Sequence, residues 1–306
     1  MATVETVRPA SLGETSASAA AQSQQLVGRL GPWHLVRLLS EGHLTRVYLA
    51  RASDGPASQP AAYVVKLLRK EWWRDSAAIE AQRREAWVGS QVTHPNLLPV
   101  LSASVRQPPF YVVAPKLEGA SLAQILTERG RLDVPLALWI ARQTADGLAA
   151  LFEATGMIHA DVKPANILVS PTGHATLLDF GFAQTPHEAR HWATRPLAGT
   201  LAYIAPEMVT SALAADPRAD VYSLGVTLYE MLAGRRPFDS DDPGELATLQ
   251  RESKPADVRE HRPDVPEPVA ALVHAMLAKD PLRRPDSARA LASQLVRLEI
   301  DNFALR

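Results

Sequence analysis

At 306 residues the chain exceeds the usual size of one compact core, which favours two lobes sharing a cleft. Its 33 acidic side chains nearly cancel 32 basic ones, and a net charge of -1 leaves no electrostatic footprint for nucleic acid. The absence of cysteine excludes a disulfide framework, thiol catalysis and thiolate metal sites, and it fits a reducing, cytoplasmic setting. No apolar run approaches the ~20 residues needed to span a bilayer, and the N-terminus lacks the charged-then-apolar pattern of a signal peptide.

Residues 1–27 are rich in Ala, Ser, Thr and Gln and poor in aromatic groups. Such a segment buries too little surface to offset its ordering entropy, so a disordered tail is expected there. From Trp33 the pattern changes to short β-branched and aromatic stretches: WHLVRLLS, RVYLARA, AAYVVKLL, NLLPVLSASV and FYVVAPKL. These predict five strands. One helix interrupts them, at Asp75 to Val92, where Ala, Glu, Gln and Arg dominate and apolar groups recur at helical spacing. After Leu117 helical stretches near 135–155, 219–234, 267–278 and 286–298 surround a strand-and-loop region at 157–207. The expected class is α+β: a five-stranded β-rich N-lobe with one helix at 28–117, a mainly α-helical C-lobe at 118–300, and a tail at 301–306. There is no internal repeat, and the Pro-bearing segments 52–60 and 185–196 read as surface loops.

Three strings in the second half, HADVKPAN (159–166), DFG (179–181) and APE (205–207), occur in the order typical of protein kinases. From about Trp33 to Val296 the chain resembles that family, in its bacterial serine/threonine form. The resemblance implies a bilobal protein-kinase fold, ATP and magnesium (Mg2+) as its small-molecule requirements, and proteins with serine or threonine acceptors as substrates, the chain itself among the candidates. It implies neither a nucleic-acid partner nor a membrane span.

Phosphoryl transfer passes through a transition state whose charge is spread over phosphate oxygens, so catalysis is mostly positioning and neutralisation. In the family a strand lysine holds the α and β phosphates, and Lys66 stands in that place after Tyr63-Val64-Val65. Taken alone it would read as a solvated edge lysine. Glu85 lies in the expected helix and matches the family's lysine-holding carboxylate; alone it would be a solvated helix face. Asp161 matches the aspartate that orients the acceptor hydroxyl and takes its proton. Asn166 and Asp179 match the two magnesium ligands, both hard oxygen donors. Lys163 resembles the catalytic-loop lysine typical of serine/threonine kinases. Thr200, in GTLAY, resembles the threonine that bonds the catalytic aspartate and lysine when substrate docks. Asp220 resembles the anchor of the catalytic loop, and Glu207 with Arg284 a buried ion pair behind the activation segment.

The nucleotide-covering stretch LSEGHLTRV (39–47) departs most from the pattern. It keeps Gly42, while Ser40 and Thr45 fill the two other glycine places, a change expected to weaken nucleotide binding. Val47 and Leu168 are further nucleotide-contacting positions by resemblance. Around the adenine, Val64 replaces a small alanine and Ala114 stands at the normally larger gatekeeper position. Pro115 follows and keeps its carbonyl acceptor, and Leu117 keeps both backbone groups. Gly89 replaces an apolar residue of the column linking helix to cleft. Ala160 stands where many kinases have an arginine that pairs with a loop phosphate, so phosphorylation at Thr185 or Thr194 is not expected to act as an obligatory switch there; Arg190 and Arg195 could supply a substitute site. His187–His191 spells HExxH, a zinc-protease signature that needs a helix, whereas this copy follows Thr185-Pro186 in a polar loop. The rival to an active kinase is a pseudokinase, a nucleotide-binding scaffold without turnover, supported by the degenerate glycine stretch and the altered adenine pocket.

Overall fold

Runs of β-branched and aromatic residues, broken by Gly and Pro, form the first half of the chain into a sheet. The computed structural model describes residues 27–56, 59–185, 188, 201–210 and 216–303. The tail expected at 1–27 lies outside these residues except for Val27, whose N–H donates to Leu35 O at 2.8 Å.

Six strands, Gly28–Leu30 (β1), Trp33–Glu41 (β2), Thr45–Ala52 (β3), Tyr63–Leu68 (β4), Ser102–Ser104 (β5) and Tyr111–Pro115 (β6), pair antiparallel in the order β1-β2-β3-β4-β6-β5. The five expected strands all form, and β1 adds a sixth at the edge. The fourth of them, NLLPVLSASV, is cut to Ser102–Ser104, because its first half turns to the other lobe. There Leu98 N–H donates to Leu177 O at 3.0 Å and Leu97 bridges Leu177. One face of the sheet closes on its own core of Leu30, Leu35, Tyr48, Ala50, Val65, Tyr111 and Val113. Fully burying a side chain such as Val65 or Val113 stabilises by about 1.5–3 kcal/mol. Helix α1 (Ser76–Gln91) starts where Asp75 Oδ1 accepts the Ala78 N–H at 2.8 Å, an N-cap, and Ala78 packs with Leu68 and Phe110.

The second half is built from α2 (Leu122–Arg129), α3 (Val134–Thr155), α4 (Pro206–Thr210), α5 (Arg218–Ala233), α6 (Pro243–Glu252), α7 (Val258–His261), α8 (Glu267–Met276) and α9 (Ala288–Phe303). A small sheet of β7 (Ala120–Ser121), β8 (Ile167–Val169) and β9 (Ala175–Leu177) roofs it toward the first lobe. The helix α5 is apolar nearly all round, and Val221, Tyr222, Leu224, Val226, Leu228, Tyr229, Met231 and Leu232 are all buried, which makes it the centre of this lobe. The four long helices expected from spacing are α3, α5, α8 and α9, whereas α2, α4, α6 and α7 are additional. The tail expected at 301–306 begins inside α9, which runs on to Phe303.

Candidate active site

Strand register collects the sheet residues before any side chain is considered. Ser40 pairs with Val47, Val47 with Lys66, and Val64 with Ala114. Cross-strand partners share a face, as do residues two apart on one strand, so all five lie on the side opposite Tyr48, Val65 and Val113. Pro115 ends β6, Leu117 follows it toward the helical lobe, and Leu168 sits on β8.

Lys66 Nζ reaches Glu85 Oε2 and Asp179 Oδ1, each at 2.8 Å. Gln82, one turn before Glu85, ties the same helix to the same strand, donating from Nε2 to Lys66 O at 3.0 Å. Nothing in its sequence context singled out Gln82. Burial opposes the Lys66 charge, but Asp179 and Glu85 outweigh it and hold the lysine above its ordinary pKa. Burial pushes the Glu85 carboxyl up to about 7, with Lys66 opposing. For Asp179, burial is outweighed by Lys66 and the Gly181 N–H, and its carboxyl falls below the ordinary aspartate value.

The catalytic loop hangs from Asp220, in the first turn of α5. Its Oδ2 accepts the His159 N–H at 2.7 Å and its Oδ1 the Ala160 N–H at 2.8 Å. Those bonds hold Ala160 at φ 63, a left-handed conformation that costs a residue with a Cβ about 1–2 kcal/mol. His159 Nδ1 accepts from the Asp161 N–H at 3.2 Å, so the ring proton sits on Nε2, which donates to Leu178 O at 3.0 Å. The Asp161 side chain is only 2% exposed and touches Lys163 Nζ at 3.0 Å. Asn166 Nδ2 donates to Asp161 Oδ2 at 2.8 Å and to its carbonyl at 2.9 Å. The Asn166 amide nitrogen is thereby committed, which leaves its carbonyl oxygen to face elsewhere.

Gly42, Lys66, Glu85, Asp161, Lys163, Asn166 and Asp179 line one cavity of about 320 Å³. Ser40, Val47, Val64, Ala114, Pro115, Leu117 and Leu168 do not line it; Ser40, Val47, Val64 and Ala114 share the sheet face of Lys66, Pro115 and Leu117 stand at the exit from β6, and Leu168 is on β8. Thr200 lies outside the described residues, as do Arg190, Thr194, Arg195 and both histidines of HExxH. Asn166 and Asp179 line the same cavity, and their side-chain oxygens are a donor set that fits a small hard cation taking its remaining ligands from phosphate and water. Among the described residues no group of three or more His, Asp or Glu side chains is placed to hold a metal by itself.

The departures from the family pattern acquire physical accounts. A Cβ on Gly89 would come within 2.3 Å of Val100 Cγ2, so Val100 fills the space of the missing side chain. Among the described non-glycine residues only Ala160 and Asp179 have positive φ, and Gly42 is not among the positive-φ glycines. The covering hairpin therefore needs no glycine-only backbone at 40, 42 or 45, and backbone strain gives no reason for weakened binding. Glu188, the glutamate of HExxH, accepts the Thr185 N–H at 3.0 Å and pairs with Arg84 of α1 at 3.3 Å. Arg84 also donates to Ala183 O at 2.9 Å, joining helix and activation segment, a role its sequence position did not announce. Arg284 is fully buried and meets Glu207 through two bonds of 2.7 and 2.8 Å.

A sheet-borne lysine braced by a helical glutamate, set over a loop that carries an aspartate, a lysine and an asparagine, is the architecture of a phosphoryl-transfer domain of the kinase type. Residues 33–296 match the family described as protein kinase domain, and the chain belongs to that family. It is 34% identical over 259 residues to the serine/threonine-protein kinase PknA of Mycobacterium tuberculosis, covering 83% of this chain and 58% of PknA. It is 29% identical over 265 residues to PrkC of Bacillus subtilis, also named a serine/threonine-protein kinase, covering 87% of this chain and 40% of PrkC. The chain thus spans 40–58% of the length of these two relatives. In shape it is similar to the crystal structure of the Mycobacterium tuberculosis PknI kinase domain, with TM-score 0.67 and 24% identity over 91% of this chain and 98% of that one, a likeness of fold.

Proposed function

We propose that the chain is an ATP-dependent serine/threonine protein kinase. The observation that carries the reading is the bridge from Lys66 to both Glu85 and Asp179, with Asp161, Lys163 and Asn166 lining the same cavity. In this reading Lys66 binds the α and β phosphates, and Glu85 keeps its ammonium in place. Asp161 orients the acceptor hydroxyl and takes its proton, while Lys163 neutralises the charge that develops beside it. Asn166 and Asp179 would hold magnesium, which when bound neutralises phosphate charge. Lys163 also lines a second cavity of about 450 Å³ with Ala123, Leu126, Tyr203 and Glu230, and we place the protein substrate there, its hydroxyl entering past Lys163. Among the described residues no helix is long and apolar enough to cross a membrane, and we place the domain in the cytoplasm, where ATP is supplied.

The scaffold reading drew on the degenerate glycine stretch, and the ordinary backbone of that hairpin removes the conformational part of its support. The test is incubation of purified protein with labelled ATP, magnesium and serine- and threonine-bearing protein substrates. Asp161→Asn should lower turnover at least about 100-fold, as expected for loss of a general base. No transfer by the wild type would overturn the kinase assignment, and unchanged turnover in the variant would overturn the role of Asp161.

A further inference from the structure

The tip of the β2–β3 hairpin is fastened from outside the cleft. Gly42, His43 and Leu44 are consecutive, and each carbonyl oxygen accepts a hydrogen bond from Arg69 or Trp72, in the short segment between β4 and α1. Arg69 Nη1 donates to Gly42 O at 3.1 Å, Trp72 Nε1 to His43 O at 3.0 Å, and the Arg69 N–H to Leu44 O at 2.9 Å. The Trp72 indole also lies against the His43 ring, with centroids 4.8 Å apart. The Arg69 guanidinium is aimed by Glu71, 2.9 Å from Nε, and by Glu41 at 3.6 Å, and Glu41 is itself held by Arg46 at 2.8 Å.

A trans peptide points its N–H opposite to its C=O. Three carbonyls fixed toward Arg69 and Trp72 therefore turn the N–H groups of His43, Leu44 and Thr45 away from that segment. The far side is the cavity. Gly42, His43, Leu44 and Thr45 all line it together with Lys66 and Asp179, whereas Arg69, Glu71 and Trp72 do not.

We propose that Arg69 and Trp72 are positioning residues for the nucleotide phosphates: by clasping three carbonyls of the hairpin tip, they aim three consecutive N–H groups at the phosphate chain. The inference rests on the kinase reading of the site. It explains how a hairpin with one of the three usual glycines can still serve. Glycines let a mobile loop find the phosphate-binding arrangement on contact, whereas a clasped tip holds it beforehand and loses less ordering entropy on binding. The clasp acts only on groups facing phosphate, so the nucleoside should be indifferent to it.

The test compares ATP, ADP and adenosine binding by calorimetry, with KM for ATP and kcat measured alongside. Trp72→Phe removes the indole donor and keeps a ring against His43; Arg69→Met removes the bond to Gly42 O and keeps the backbone bond to Leu44 O. Each should weaken ATP and ADP about threefold to tenfold, the worth of one ordinary hydrogen bond, with adenosine within about twofold and KM raised more than kcat is lowered. Arg69→Lys, which retains a cationic donor, should recover most of the loss. Unchanged ATP affinity, or equal losses for ATP and adenosine, would overturn the clasp. A wild type that binds ATP without transferring phosphate would overturn the kinase reading and leave the clasp standing, and one that binds no ATP would overturn both.

Discussion

The catalytic loop and the covering hairpin line the same cavity from opposite lobes, and they are held by opposite means. His159 and Asp161 are 0% and 4% exposed, and a buried carboxylate fixes the backbone beside them in a conformation it would not otherwise keep. Gly42 and His43 are exposed, their backbone is relaxed, and they are held through carbonyl oxygens by groups that water can replace. The difference fits the tasks proposed for them. A group that takes a proton must stand at one place, and strain persists there because the surroundings over-determine it. A wall that admits and releases a nucleotide has to open, so its fastenings must each be weak.

The hardest blow to this contrast is Asp220→Ala. It leaves the His159 and Ala160 N–H groups buried without an acceptor, at about 1–3 kcal/mol each, and frees Ala160 from its left-handed conformation. Chemical denaturation should register a loss of about 2–6 kcal/mol, and turnover should fall with it. A loss below ~1 kcal/mol would mean that burial alone shapes the loop.

A second measurement concerns Glu85, which pairs with Lys66 in the same cavity. Its carboxyl, pushed up to about 7 from the ordinary 4.5, gives opposite signs for stability and activity. Across that interval the folded chain holds a proton that the unfolded chain has released, so this group's contribution to stability falls as pH rises from 4.5 to about 7. Activity needs the ionised form, so kcat/KM for ATP should drop about tenfold per pH unit on the acid side of that value. Glu85→Gln should lower activity and abolish that limb; the same limb surviving in the variant would assign it to another group, such as the nucleotide itself.

The smallest effect belongs to the hairpin. With no backbone strain to relieve, Ser40→Gly combined with Thr45→Gly should lower KM for ATP by no more than about threefold. A larger gain would show that the side chains at 40 and 45 obstruct the phosphates directly, and a rise would show that the relaxed hairpin depends on them.

Which residues meet at the cavity was the most legible part of the sequence, because the family's loop motifs are contiguous and keep fixed spacing. Lys66 and Glu85, far apart in the chain, were recoverable only as a pair. The clasp was not recoverable, since its acceptors are backbone carbonyls, which leave no trace in residue identity. Strand β1 escaped because three residues carry no period, although Gly31-Pro32 marks the turn that follows. Helices α2 and α6 carried signals that were passed over. Ser121 and Gln124 form a capping box, and Asp242-Pro243 with Glu245 places an N-cap, a first-turn proline and a first-turn acid in order. Val100 in contact with Gly89 was beyond reach, because a helix and a distant loop that approach without an intervening side chain show only as one small residue.

That contact gives α1 a fulcrum. Backbone and side chain abut where Gly89 meets Val100, so the helix cannot come closer to Val100 there, and a tilt with that contact kept would turn about it. Glu85 stands four residues along the helix, about 6 Å from the pivot, so a tilt of ~20° would carry its carboxylate roughly 2 Å. That displacement is enough to part an ion pair now 2.8 Å long. Arg84 is next to Glu85 and bonds Ala183 O and Glu188, so those two residues are tied to the same turn of helix that holds Glu85 against Lys66.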